Sequence, residues 1–278
     1  MKVFISVDME GITGVAHWPH VMSKEQDYKE AREQMIADTN AAIEGALDAG
    51  ADEIIVNDAH DRMGNLLLSK LNSKARLISG FVKPLGMMQG VEGADAALFV
   101  GYHAKMGTLH AVLDHTLNGS SIISIHLNGI EVGEPELNAS LAGHFDVPVV
   151  FLSGDEAMCR LARDFIGGWV ETAVVKTAIG RGAAECLHPE VTKELIKDGV
   201  KKALSKLSEA QPVRVEMPVR IDIELASTEM ADMASVCPSA ERVDGRTIAV
   251  AGKTVLEAYF ALKAVAALGI VPMALRRL

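Results

Sequence analysis

The sequence predicts an α/β protein: a mostly parallel sheet flanked by helices, with a smaller C-terminal α+β unit. Three observations predict it. Near-continuous apolar runs recur at 3–7, 53–57, 96–100 and 147–153, with helical stretches between them. Such runs suit strands buried on both faces of a parallel sheet. Asn128-Gly129 sits between two alternating segments, which predicts a tight hairpin over 121–133. Beyond about residue 190 the texture changes, to a lysine-rich amphipathic helix and then a strand of period two.

Taken in order, VFISV is β-branched and opens the sheet. Residues 23–49 read as a long helix, with Ser23 as N-cap and Gly50 as its stop. EIIVN (53–57), ARLIS (75–79), AALFV (96–100) and VPVVFLS (147–153) supply further strands. Pro135 fits the first turn of a helix through PELNASLAGHF, which puts Glu134 at the junction of hairpin and helix. In SGDE, Asp155 fits a strand end and a helix N-cap equally well. VTKELIKDGVKKALSKL is the lysine-rich helix; VRVEMPVRIDIELA is the alternating strand, with Pro218 marking an edge or bulge. RTIAVAG and the helix TVLEAYFALKAVAALG close the chain. The expected division is 1–190, an α/β domain carrying the site, and 191–278, a smaller α+β unit packed on it.

Composition narrows the function classes. Of 278 residues, 49% are hydrophobic, so a large core is within reach. The formal net charge is −10, and no basic cluster exceeds the pairs Lys201-Lys202 and Arg276-Arg277. Phosphate-backbone binding needs concentrated positive charge, so nucleic acid is not an expected partner. Cys159, Cys186 and Cys237 are widely spread and form no C-x-x-C motif, which suggests a reducing compartment. The N-terminal stretch does not read as a signal peptide, and no apolar stretch reaches the ~20 residues of a membrane helix. The expectation is a cytoplasmic protein without a membrane partner.

The polar residues fall where the strands end. VFISV leads into Asp8 and Glu10, EIIVN into Asp58-Ala59-His60-Asp61, and AALFV into Gly101-Tyr102-His103. Residues two apart on an extended segment share a side, so Asp8 and Glu10 are expected to point together. Ligands of open parallel sheets bind beyond the carboxyl ends of the strands. Asp8, Glu10, His60 and His103 can therefore meet at one edge, as a nitrogen and oxygen donor set that suits zinc, manganese or cobalt. His115 and Glu134 are two further candidates. Each of these residues alone has a bland reading as a turn, cap or loop residue. The first strand leads into DMEGITG rather than G-x-G-x-x-G, which argues against a dinucleotide site.

These residues carry a resemblance. SVDMEGI at 6–12, VNDAHDRMGN at 56–65, LISGFVKP at 77–84, VGYHA at 100–104, HT at 115–116 and VGEPELNA at 132–139 resemble the DppA-type D-aminopeptidases, a dinuclear zinc metallopeptidase family. The order and spacing hold across essentially the whole chain. The resemblance implies two zinc ions per chain: Asp8 bridging them, Glu10 and His60 on one, His103 and Glu134 on the other, with His115 catalytic. It also implies hydrolysis of short peptides from the amino end, D-Ala-D-Ala among them. It further implies a homo-oligomer, a decamer of two stacked five-membered rings. The chain departs from the family pattern at Leu109-His110 and Pro135-Glu136. His110 and Glu136 are accordingly candidate substrate-binding residues.

The chemistry is consistent with that reading. A metal-bound water ionises near pH ~7, and a shared carboxylate suits two ions ~3.5–4 Å apart. His115 then has an imidazole free for proton transfer or for holding an oxyanion. Asp58, Asp61 and Asp114 are expected to orient imidazoles. Two other readings use the same residues: a dinuclear amidase or phosphoesterase, and a dipeptide-binding protein without catalysis. Apart from Arg62 in VNDAHDRMGN, no arginine lies within the site motifs, which disfavours phosphate substrates.

Overall fold

The computed structural model describes residues 1–275, so the pair Arg276-Arg277 lies outside the described residues. The chain runs β1 (Lys2–Val7), α1 (Trp18–Val21), α2 (Tyr28–Asp48), β2 (Glu53–Asp58), β3 (Ala75–Ile78), β4 (Ala96–Tyr102), β5 (Ile122–Leu127) and β6 (Ile130–Val132). It continues through α3 (Glu134–His144), β7 (Val149–Asp155), α4 (Glu156–Ile166), β8 (Glu171–Gly180), β9 (Ala183–Cys186) and α5 (Pro189–Ser205). Last come β10 (Val219–Leu225), α6 (Thr228–Ala234), β11 (Ala240–Arg242), β12 (Thr247–Gly252) and α7 (Val255–Leu275).

Seven strands form one sheet in the order β3-β2-β1-β4-β7-β8-β9. All its pairings are parallel except β8 with β9. The order reverses direction at β1, which has β2 on one side and β4 on the other. Such a switch point opens a crevice at the carboxyl edge. Alternation within β1 feeds both faces. Val3, Ile5 and Val7 join the core beneath α2 and α5, while Phe4 joins the core that holds α3 and the second sheet.

The second sheet has five antiparallel strands in the order β11-β12-β10-β5-β6. The β5–β6 turn is the expected hairpin: Asn128 and Gly129 both take positive φ, 48° and 82°. Helices α6 and α7 cover this sheet, and α7 also touches α3.

Four expectations are corrected. The boundary near residue 190 does not separate the layers. The hairpin β5–β6 belongs to the second sheet, and α5 packs on α2, β7 and β8 of the first. Hydrophobic cover on a sheet face recruits segments from either end of the chain. The long helix begins at Tyr28 rather than after Ser23, because α1 and the turns after it occupy residues 18–27. Val213–Met217 lies outside the strand, which starts at Val219, just after Pro218. Finally, α7 runs 21 residues to Leu275, long and apolar enough by length and composition to cross a membrane. Here it lies along β10 and β12, with Val255, Ala258, Tyr259, Leu262 and Val265 buried in the shared core.

Candidate metal centre

The crevice between β1 and β4 is made narrow by two glycines. A Cβ on Gly11 would run into the carbonyl of Tyr102, and one on Gly101 would meet the carbonyl of Asp8. Gly101 also has φ +71°, a conformation open chiefly to glycine. With no side chains between them, the strand ends are tied by Asp8 N–H to the Val100 carbonyl (2.9 Å) and Gly11 N–H to the Gly101 carbonyl (2.8 Å). Extended structure stops at Val7, yet the turn that follows keeps both Asp8 and Glu10 buried at the crevice.

The five expected ligands converge there. Asp8 Oδ1 lies 3.5 Å from His60 Nδ1, and Asp8 Oδ2 lies 3.4 Å from His103 Nε2. Glu10 Oε2 is 3.0 Å from His60 Nδ1; Glu134 Oε1 is 3.5 Å from His103 Nε2. Asp8 thus offers one oxygen to each of two histidine–glutamate pairs. β1 delivers Asp8 and Glu10, β2 delivers His60, β4 delivers His103, and the hairpin of the second sheet delivers Glu134 at the first residue of α3.

Tautomers sharpen the picture. His60 Nε2 lies 2.9 Å from the Val21 carbonyl, His103 Nδ1 3.0 Å from the Ala104 carbonyl and His115 Nδ1 2.8 Å from the Leu113 carbonyl. A carbonyl only accepts, so each of those nitrogens carries the proton. The opposite nitrogens of His60 and His103 are then bare lone pairs facing carboxylate oxygens. Acceptors facing acceptors in a buried pocket require a proton or a cation between them. Asp8 Oδ2, buried without any hydrogen-bond partner, marks the same deficit. Nitrogen and carboxylate donors turned inward, with their outer atoms fixed by backbone, are what a zinc-type ion requires.

Titration of the metal-free pocket says the same. Burial and the Glu10 charge push Asp8 up to about 7. Burial opposes a charged His103, but Glu134 and Asp8 outweigh it and raise it to about 10. His60 is raised in the same way, against burial, by Glu10 and Asp8. Burial also works against Glu10 and Glu134, and the facing imidazoles still hold both below the ordinary value. A proton or a metal ion would settle between the same donor atoms.

His115 stacks face to face on His103, with ring centroids 4.0 Å apart. A ligand-capable atom of His115 lies within 4.8 Å of those of His103 and Glu134. Its loop is held under tension: His110, Leu113 and Leu117 take positive φ of 55°, 52° and 58°. Several bonds fix it. Leu117 N–H donates to Glu134 Oε1 (2.6 Å), Val112 N–H to Asp155 Oδ2 (2.7 Å), and His115 N–H to the Ala104 carbonyl (3.2 Å). Arg181 clamps it from outside, Nε on Asp114 Oδ1 (2.8 Å) and Nη2 on the Asp114 carbonyl (2.7 Å).

Other expected residues serve differently. Glu136 accepts from Gly133 N–H (2.8 Å), so one of its oxygens caps α3 instead of waiting for a substrate amine. His110 is exposed at the loop surface. Asp58 braces the 58–66 loop through Asn65 and Leu66, and Asp114 binds Gly107 and Arg181. Backbone carbonyls, not these aspartates, orient the imidazoles. Asp155 proves to be the N-cap of α4, accepting from Met158 N–H (2.8 Å).

Lys176 and Arg181 escaped the sequence reading of the site. Lys176, fully buried on β8, donates to the carbonyls of Glu10 (2.6 Å), Ile12 (2.8 Å) and Val15, and so fastens the turn that carries Glu10. Its signal was a lone lysine within the apolar run TAVVKTAIG. Trp18 lies 5.6 Å from the His115 ring, and the Arg181 guanidinium lies 5.4 Å from Trp18. Arg181 had no signal, because only tertiary structure brings it to the mouth of the site; Trp18-Pro19, flanked by His17 and His20, reads from the sequence as an entry loop.

Comparison with known proteins agrees with this geometry. The family model described as D-aminopeptidase, peptidase family M55, matches residues 1–264. The chain is 36% identical to a D-aminopeptidase of Bacillus subtilis (strain 168) over 264 residues, 94% of this chain and 95% of that protein. It superposes with a TM-score of 0.94 on the zinc-dependent D-aminopeptidase DppA from Bacillus subtilis, described as a self-compartmentalizing protease. That match is 35% identical and covers 97% of this chain and 98% of the other. The chain belongs to the D-aminopeptidase family, peptidase family M55.

Proposed function

We propose that this chain is a zinc-dependent aminopeptidase that releases the amino-terminal residue of short peptides, D-residue peptides such as D-Ala-D-Ala included. The observation that carries the proposal is Asp8, whose two oxygens face two separate histidine–glutamate pairs. Asp8, Glu10 and His60 would hold one ion; Asp8, His103 and Glu134 would hold the other. Manganese or cobalt would suit the same donors. Bound there, the ions would supply a water ionised near neutral pH and polarise the scissile carbonyl.

The protein's own groups do the rest. Asp8, Glu10 and Glu134, all buried, would bring three negative charges to the ions, so the centre would carry little net charge. His115 holds its Nδ1 proton on the Leu113 carbonyl, leaving the Nε2 lone pair to accept a proton from the attacking water and return it to the leaving amine. The carbonyls of Val21 and Ala104 keep His60 and His103 from turning away.

We also propose that the chain assembles with itself, as two stacked five-membered rings whose interior would exclude folded proteins. The description of the Bacillus subtilis enzyme as self-compartmentalizing supports this. A cytoplasmic location is part of the same proposal, supported by three unpaired cysteines.

The test combines one assay with metal analysis of the same sample. Purified protein should hold close to two metals per chain and release amino-terminal residues from D-Ala-D-Ala or L-Ala-L-Ala. Chelation should abolish turnover, and zinc should restore it. Metal-loaded protein that binds these peptides for hours without product would favour the binding-protein reading instead.

A further inference from the structure

Arg181 is more than a clamp. Its side chain is half exposed, at the tip of the β8–β9 turn, in a protein of net charge −10. A guanidinium has five N–H donors. Asp114 takes two of them, one through Oδ1 and one through its backbone carbonyl, leaving three. Trp18 is close to both Arg181 and His115, and His115 stacks on the proposed ligand His103. Arg181 thus stands two short steps from His115, on the outer side of the His115 loop. The two legs, 5.4 and 5.6 Å, amount to no more than about three residues of extended chain.

We propose that Arg181 binds the free C-terminal carboxylate of a short peptide whose amino end lies at the centre formed by Asp8, Glu10, His60, His103 and Glu134, with the peptide backbone running past Trp18. This inference rests on the aminopeptidase reading and adds to it a determinant of substrate length. A short peptide carries its free carboxylate within a few residues of the scissile bond, and Arg181 lies a comparable span from His115. The planar fork suits a carboxylate. Trp18 supplies an apolar flank for the backbone. Beyond about three residues the carboxylate would overshoot the guanidinium, and the preference would fade.

The experiment compares Ala-Ala, in the configuration the enzyme accepts, with its C-terminal amide. Both are assayed with the metal-loaded wild type and with Arg181→Gln and Arg181→Lys. The wild type should favour the free acid over the amide by about 10–100-fold in kcat/KM, mostly through KM, as a charge-assisted hydrogen bond would. Arg181→Gln should bring that ratio near one, and Arg181→Lys should keep part of it. A clamp that only positions the His115 loop would lower both substrates alike and leave the ratio unchanged, which would overturn the inference. So would a wild-type ratio of one, a measurement that needs no variant to fold. Absence of turnover on either substrate would overturn the aminopeptidase reading itself, and this inference with it.

Discussion

The two sheets of this molecule handle polar groups in opposite ways. In the antiparallel sheet, β10 alternates, with Val219, Ile221, Ile223 and Leu225 buried while Arg220 faces water. Its charges pair at the surface, as Arg220 does with Asp222 and Glu241. In the parallel sheet, β1, β4 and β7 are buried nearly end to end, and their charged residues sit inside, at the carboxyl edge. Asp8, His60 and His103 are each under 10% exposed. The first arrangement stabilises the fold. The second concentrates desolvated, mutually dependent groups that a proton or a cation must complete. The contrast separates what holds the protein together from what lets it act, and Glu134, delivered by the second sheet into the first, is where the two meet.

Substitution of Asp8 tests that separation most severely. Asp8→Ala removes the one carboxylate facing both histidines. Metal content should fall from about two per chain to well below one. Activity should fall by about 10³-fold or more, beyond the 10–100-fold typical of changes in the outer hydrogen-bond partners of metal ligands. Far-ultraviolet circular dichroism should hardly change. His115→Ala should leave metal content intact and reduce kcat by about 10²–10⁴-fold. Full turnover in that variant would remove His115 from the reaction.

A paired substitution sharpens the comparison. Ile223→Ala, in the antiparallel core, should cost about 2–5 kcal/mol in denaturant unfolding and leave metal stoichiometry alone. Lys176→Met keeps the length and apolar stem of the side chain but removes three bonds to the Glu10 turn. It should weaken one metal by about 10–100-fold, the one shared with Glu10 and His60, and spare the ion at His103 and Glu134. Equal weakening of both ions would show that Lys176 holds the site as a whole.

The same contrast explains what could be read from the sequence. Strands β1, β2, β4 and β7 were legible because burial on both faces leaves an unbroken apolar run, and their ends were legible because polar residues follow abruptly. Asn128-Gly129 was legible because its turn demands positive φ at both positions. The layer boundary was not. The hairpin β5–β6 and strand β10 lie about 90 residues apart in sequence, and no local signal links them. Asp8, Glu10, His60, His103 and Glu134 were found as separate strand-end or helix-start residues. The carbonyls of Val21, Ala104 and Leu113 that aim the imidazoles could not be found, since every residue has a carbonyl. Arg181 escaped for a related reason: sequence distance from the motifs says nothing about distance from the site.

The smallest expected effect is a pH dependence confined to the metal-free protein. His103 ordinarily titrates near 6.5 and is raised to about 10 when folded, so its stabilisation is complete below 6.5 and lost as pH rises through 10. Asp8 is raised from 3.8 to about 7, so its share is lost over that lower window, in the same direction. Glu10 and Glu134 are lowered, so they stabilise above about 4.5 and lose that contribution in acid. Chelated protein should therefore be most stable near pH 4.5, decline above it as the Asp8 contribution is lost, and decline more steeply above 6.5 as that of His103 follows, losing several degrees of melting temperature from about pH 6 to about pH 9. With metal bound, the cation takes the place of the shared protons and the alkaline loss should shrink. The antiparallel sheet holds no such cluster, so Ile223→Ala should lower both pH profiles by a constant amount without changing their shape. If chelated and metal-loaded profiles run parallel, protons and metal do not compete for the same lone pairs, and the tautomer argument for the centre fails with them.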